Sequence, residues 1–170
     1  EDPDPKVRQE AQPRGGAAGP PMLRLFSLGP FEVFHGDERM EDRQWKSPKV
    51  RLMLAFLAAQ QGRPISEDLL TEVFWPEEPR GKRNLSATLS HLRSNLRPSG
   101  WPGELNYVVR ASQGISLNPE LPRWHDYDEL ERAAAGAARA GEGPEAARLC
   151  RQVVDLYRGP YLEGQYADWV

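Results

Sequence analysis

Cysteine is almost missing from this sequence: Cys150 stands alone among 170 residues. A lone thiol excludes an intrachain disulfide and any cysteine-built zinc cluster, and it suits a reducing compartment. Long apolar runs are absent as well. No segment approaches the ~18 uninterrupted apolar residues that mark a membrane-spanning helix. The opening Glu1-Asp2-Pro3-Asp4 is acidic, unlike the basic-then-apolar leader of a secreted chain. These absences predict a soluble, cytoplasmic protein with no membrane partner.

Catalytic signatures are equally scarce. The sequence has no GxxxxGK[ST] or GxGxxG to cradle phosphate, no HExxH and no GxSxG. His35, His91 and His125 fall on separate segments without metal-ligand spacing. Asp126 and Asp128 read as residues that cap and complement a helix N-terminus. The expectation is a protein that is not an enzyme, with no catalytic residue, metal or cofactor.

An excess of positive charge is also lacking. The 22 Lys and Arg face 25 Asp and Glu, a net charge of −3 with a pI near 5.7. That total argues against nucleic acid, whose partners usually show a basic footprint. The distribution argues otherwise. Residues 22–119 hold 13 Lys and Arg against 11 Asp and Glu, whereas residues 120–170 hold 6 against 10. Arg80, Lys82, Arg83, Arg93 and Arg97 lie in a 24-residue stretch, Arg80 to Gly103, that carries no acid at all.

Residues 1–21 contain five Pro, three Gly and no aromatic residue, too little apolar surface to order themselves. They read as a linker or tail. The start at Glu1 without Met predicts a piece of a longer protein with a domain upstream. Alternating residues then predict strands at Leu23–Leu28 and Phe31–Phe34, and a weaker one near Met40–Trp45. Pro48 opens an apolar run ending at Gly62, the punctuation of a buried helix. Ser66 caps a second helix, with Glu67 and Asp68 in its first turn, ended by Trp75-Pro76. Trp45, Phe56, Phe74 and Trp75 are expected in the core.

The next helix is the most informative. Leu85, Leu89, Leu92 and Leu96 form one narrow apolar stripe. The opposite side carries Arg83, Ala87, Ser90, His91, Ser94 and Arg97, with Thr88 and Arg93 flanking the stripe. An ordinary solvated helix mixes Glu with Lys and Arg, and here the carboxylates are missing. Tyr107–Arg110 and Ile115–Leu117 then read as arms of a β-hairpin around Ser112-Gln113-Gly114, with Arg110 near its tip. Strands, three helices and a hairpin describe a winged helix-turn-helix of the α+β class. In that fold a cationic third helix enters the major groove and a hairpin Arg reaches the adjacent minor groove.

Beyond Pro122 the pattern becomes all-α. Tyr127, Leu130, Ala134 and Ala138 define one helix, and Ala146, Leu149, Val153 and Tyr157 a second, joined at Gly141-Glu142-Gly143. Such a pair is like one unit of a tetratricopeptide-like repeat, which needs neighbours for stability. Cys150 is expected to be a small buried side chain. A further apolar helix is expected to begin at Tyr166–Val170, so the chain reads as cut at both ends.

The stretches LFSLGPFEVFHGD, SPKVRLMLAFLAAQQGRPISEDLLTEVFWPEEP and NLSATLSHLRSNLRP resemble the OmpR-type winged helix of the Streptomyces antibiotic regulatory protein (SARP) family. The remainder, through LYRGPYLEG to Trp169, resembles that family's bacterial transcriptional activator domain. The resemblance runs from about Leu23 to Val170. It implies a bacterial transcription activator with a winged-helix DNA-binding domain over residues 22–119 and the beginning of the helical domain over residues 120–170. It further implies binding to promoter direct repeats, recruitment of RNA polymerase, and an upstream sensor or regulatory domain.

Carried over by position, DNA contacts fall on Arg83, Thr88, Ser90, His91 and Arg93 of the third helix and Arg110 of the wing. Charge and placement add Lys82, Ser94 and Arg97. The Pro76–Lys82 loop, with Glu77, Glu78 and Arg80, is the polymerase-contact candidate. Ser90 and His91 stand where many relatives carry Arg, which makes this footprint less cationic. An alternative function, from a different class, is a protein-interaction module in which winged helix and helical repeat dock a partner or regulatory domain.

Overall fold

The computed structural model describes residues 19–98 and 106–165. The expectations placed on residues 1–18 and on the last five residues lie outside that range.

Strand β1 (Leu23–Phe26) alternates as a half-buried strand should, with Leu23 and Leu25 in the core and Arg24 and Phe26 on the other face. It pairs antiparallel with β2 (Glu32–His35), which turns through Gly36 into the short β3 (Glu38–Arg39). On the outer face, Phe26 packs against Phe34 and Trp124 with ring centroids 5.4 and 5.0 Å apart, and the Arg24 guanidinium lies over all three rings. The strand expected near Met40–Trp45 is instead a 3-10 turn at Asp42–Gln44. Glu41 and Gln44 close a reciprocal capping box there, and Trp45 drops into the core.

Helix α1 (Pro48–Ala59) starts where Ser47 accepts from the Val50 amide, with Pro48 in the first turn. Val50 and every residue from Met53 to Ala58 are buried, so α1 is the central helix. Ser66 caps α2 (Glu67–Phe74) by accepting from the Leu69 amide at 3.2 Å. Helix α3 (Gly81–Asn95) turns Leu85, Leu89 and Leu92 inward, with Leu96 just beyond its end, and packs on both α1 and α2. Gly81 lets the two helices approach: a Cβ there would stand 2.5 Å from Thr71 Cγ2. Phe56, Phe74 and Trp75 join Trp45 in this core, as their positions in the sequence suggest.

The wing is β4 (Val108–Ala111) against β5 (Gly114–Leu117), with Gly114 already inside the second strand. Ile65 adds a third edge, exchanging two backbone hydrogen bonds of 2.8 Å with Ile115. Gly114 makes that approach possible. Its φ is +132°, and a Cβ would lie 2.2 Å from the Ile65 carbonyl oxygen.

Strand β6 (Arg123–His125) carries no clear signal in the sequence, yet it pairs parallel to β1 and completes a four-stranded sheet in the order β3-β2-β1-β6. It leads directly into α4 (Asp126–Ala140), which packs against α5 (Pro144–Leu156). The phase of these helices differs from the expected stripes. The difference lies in α4, where Ala133 is buried and Ala134 and Ala138 are exposed, because the contact with α5 runs through Gly136, at which a Cβ would stand 3.2 Å from Leu149 Cδ1; on α5 the expected stripe holds at Ala146, Leu149 and Val153 and fails only at the exposed Tyr157. Cys150 is exposed, not buried. After α5 the chain returns to the sheet. Leu162 N–H donates to Ser27 O at 2.7 Å, Gly29 N–H to Pro160 O at 2.9 Å and Glu163 N–H to Gly29 O at 3.0 Å. Among the described residues no helix is long and apolar enough to cross a membrane.

Candidate nucleic-acid interface

The leucine stripe that buries α3 fixes what its other side presents. Lys82, Arg83, Ser86, Ala87, Ser90, His91, Ser94 and Arg97 are all exposed, and none of them is acidic. Helices α4 and α5 leave this surface uncovered. Thr88 differs from the others: it is 8% exposed and faces the core side of the helix. Arg93 is half-buried, and its Nε donates to the Val108 carbonyl at 2.9 Å, tying α3 to the first wing strand. Burial holds the Arg93 guanidinium below the usual arginine range, and the nearby charge of Arg110 adds to this. Arg93 and Arg110 therefore bring two cations together where helix meets wing.

Two of the candidate cations are held by acids of α2. Arg110 Nε donates to Glu67 Oε1 at 2.8 Å, and Lys82 Nζ to Asp68 Oδ1 at 3.0 Å. The hydrogen bond that Lys82 donates to Asp68 holds its ammonium above the usual lysine range. Among the described residues Arg83 and Arg97 have no carboxylate partner. In the sequence, Glu67 and Asp68 signal only the first turn of their own helix. The α2–α3 loop is fully exposed: Glu77 adopts φ +59°, Glu78 accepts from Asn84 Nδ2 at 3.0 Å, and Arg80 immediately precedes α3.

No family model matches the chain. Curated proteins do. The chain is 33% identical over 147 residues to the regulatory protein AfsR of Streptomyces coelicolor, an alignment that covers 84% of this chain. That likeness supports a SARP-type regulator. AfsR of Streptomyces griseus is 28% identical over 152 residues, or 86% of this chain. The chain spans only 14% and 15% of the lengths of these two relatives. Among solved structures it is similar to Mycobacterium tuberculosis EmbR in complex with a low-affinity phosphopeptide, with a TM-score of 0.67 and 24% identity over 84% of this chain and 38% of that one. That likeness carries the fold, a winged helix. The AfsR proteins are named as regulatory proteins, in keeping with a role other than catalysis.

One arrangement has the outline of a catalytic triad that no motif in the sequence marks. Ser27 Oγ lies 2.8 Å from His125 Nε2, and His125 Nδ1 lies 3.2 Å from Asp128 Oδ1. The surroundings do not suit nucleophilic chemistry. Ser27 and His125 are 1% and 3% exposed, out of reach of a substrate. The amides of Ser27 and Leu28 donate to the buried Asp126 carboxylate at 2.8 and 3.0 Å, which leaves them unavailable to an oxyanion. Asp126 Oδ1 also accepts from the Ser27 hydroxyl at 3.0 Å and from its own helix at Tyr127 N. The cluster is a joint that fastens the start of α4 to the end of β1. No group of three or more His, Cys, Asp or Glu suited to a metal occurs among the described residues.

Proposed function

We propose that this chain is the DNA-binding part of a bacterial transcription activator that acts in the cytoplasm. Residues 22–119 form the winged-helix domain, residues 120–170 begin a tetratricopeptide-like activator domain, and residues 1–21 link to an upstream sensor or regulatory domain. The observation that carries this reading is the exposed, acid-free face of α3 beside the wing Arg110. Helix α3 lies in the major groove of a promoter repeat. Arg83, Arg93, Lys82 and Arg97 approach phosphates, Ser90, His91 and Ser94 approach base edges, and Arg110 enters the minor groove. Thr88, being turned inward, supports the helix from its flank. Bound on direct repeats, neighbouring copies present Glu77, Glu78 and Arg80 of the α2–α3 loop to RNA polymerase.

Selection of bound sequences from a random duplex pool, followed by salt titration on the selected site, tests the reading. A repeated motif should emerge, and neutralising four to six phosphates predicts a log-log salt slope of about −4 to −5. No enrichment, or salt-insensitive binding, overturns it. A second reading, a protein-docking module, is favoured by the outer side of α5, where Val154 and Tyr157 are 71% and 58% exposed. In that case binding of a protein partner survives charge removal on α3 and is lost on changing Val154.

A further inference from the structure

The ion pairs that join α2 to the candidate interface bear on how tightly it holds DNA. Glu67 and Asp68 are adjacent in the first turn of α2, capped by Ser66. One carboxylate takes Arg110 of the wing at 2.8 Å and the other takes Lys82 at the start of α3 at 3.0 Å. These four side chains are all substantially exposed, so the pairs are weak and open readily in water. Their effect on a polyanion is larger than their effect on stability. Each carboxylate already neutralises a cation that a phosphate would otherwise neutralise, and each stays close by after the cation has moved to the duplex, where it repels the backbone. Arg83 and Arg97, by contrast, have no such partner among the described residues.

Resting on the DNA-binding reading above, we propose that Glu67 and Asp68 are affinity-setting residues: resident counter-ions that occupy Arg110 and Lys82 in the free protein and must be displaced by DNA. They keep sequence-independent binding low, so that occupancy depends on the base contacts made by the rest of α3.

The test compares the full chain with Glu67→Gln, Asp68→Asn and the double variant on a random-sequence duplex and on a selected site, across a salt series. Glu72→Gln is the control, because Glu72 is an exposed acid of the same helix with no ion pair among the described residues. Thermal melting establishes that each variant is folded. Each substitution at Glu67 or Asp68 should tighten random-duplex binding about two- to fivefold and steepen the log-log salt slope by about 1, whereas Glu72→Gln leaves the slope unchanged. Unchanged affinity and slope in a protein that does bind DNA overturn the proposal and leave the DNA-binding reading intact. Weaker binding after Glu67→Gln also overturns it, by showing that the carboxylate orients Arg110 for DNA instead of competing for it. No salt-dependent binding by the unaltered chain or any variant overturns both.

Discussion

Asp126→Asn isolates the hydrogen bonds of the joint between sheet and helices without opening a cavity. The two carboxylate oxygens serve different amides: Oδ1 accepts from Ser27 N–H at 2.8 Å and Oδ2 from Leu28 N–H at 3.0 Å. An amide side chain of the same shape offers one acceptor and one donor. Whichever way it turns, its NH2 faces a backbone N–H. At least one buried donor is orphaned at a cost of about 1–3 kcal/mol, and the surviving bonds lose their charge assistance, about 1 kcal/mol more. The expected loss is about 2–4 kcal/mol. With a urea m-value of about 1–3 kcal/mol/M, the midpoint should fall by about 1–2 M at unchanged slope. Ser27→Ala should cost about 1–3 kcal/mol, because both amides keep their carboxylate but the buried His125 Nε2 loses the Ser27 hydroxyl. A loss under about 0.5 kcal/mol for Asp126→Asn, against the 1–3 expected for one orphaned buried donor, would refute the assignment of this carboxylate as the fastening point.

Gly114→Ala should cost about 3–4 kcal/mol, the sum of backbone strain and the Ile65–Ile115 pairing; chemical denaturation measures it, and a neutral effect would mean that the wing does not need that approach. Burial lowers the pKa of His35, while the Leu96 carbonyl and Glu38 partly oppose the shift. The unfolded chain therefore takes up the proton first, so His35 stabilises the fold above about pH 6.5 and withdraws that stability as pH falls. Melting curves between about pH 7 and 5 should show a decline that His35→Gln reduces. On DNA, Arg83→Ala should weaken binding to all sequences alike and lower the salt slope by about 1. Ser94→Ala should instead relax preference at one base step, and matching behaviour of the two variants in a binding-site selection would remove that division of roles.

The helices were legible because the spacing of Leu85, Leu89 and Leu92, Pro48 at the start of α1 and the cap at Ser66 are local signals that tertiary packing reinforces. Where local signal was thin, it misled. Helix α4 is so rich in Ala that several faces have nearly the same hydrophobicity, and only Gly136 marks the side that meets α5. Strand β6 is three residues long, and its partner, β1, lies about a hundred residues earlier. The Asp42–Gln44 turn was hidden by the aromatic Trp45, which is equally at home in a strand or under a turn. At the candidate interface, residue type found the cations. It could not find Glu67 and Asp68, because a salt bridge between separate elements is a property of the packing.

The parallel pairing of β1 with β6 has a consequence for synthesis on the ribosome. The whole helix-turn-helix and wing lie between two strands that are neighbours in space, and Ser27 and Gly29 wait further still for Pro160, Leu162 and Glu163. The first strand to emerge is thus among the last to be enclosed, with one edge open until the far side of the chain arrives. The three helices hold mostly local contacts and are free to form early. Completion of the sheet is thus sensitive to chain length: a product ending before about residue 163 keeps α3 but leaves the end of β1 without its closing strap.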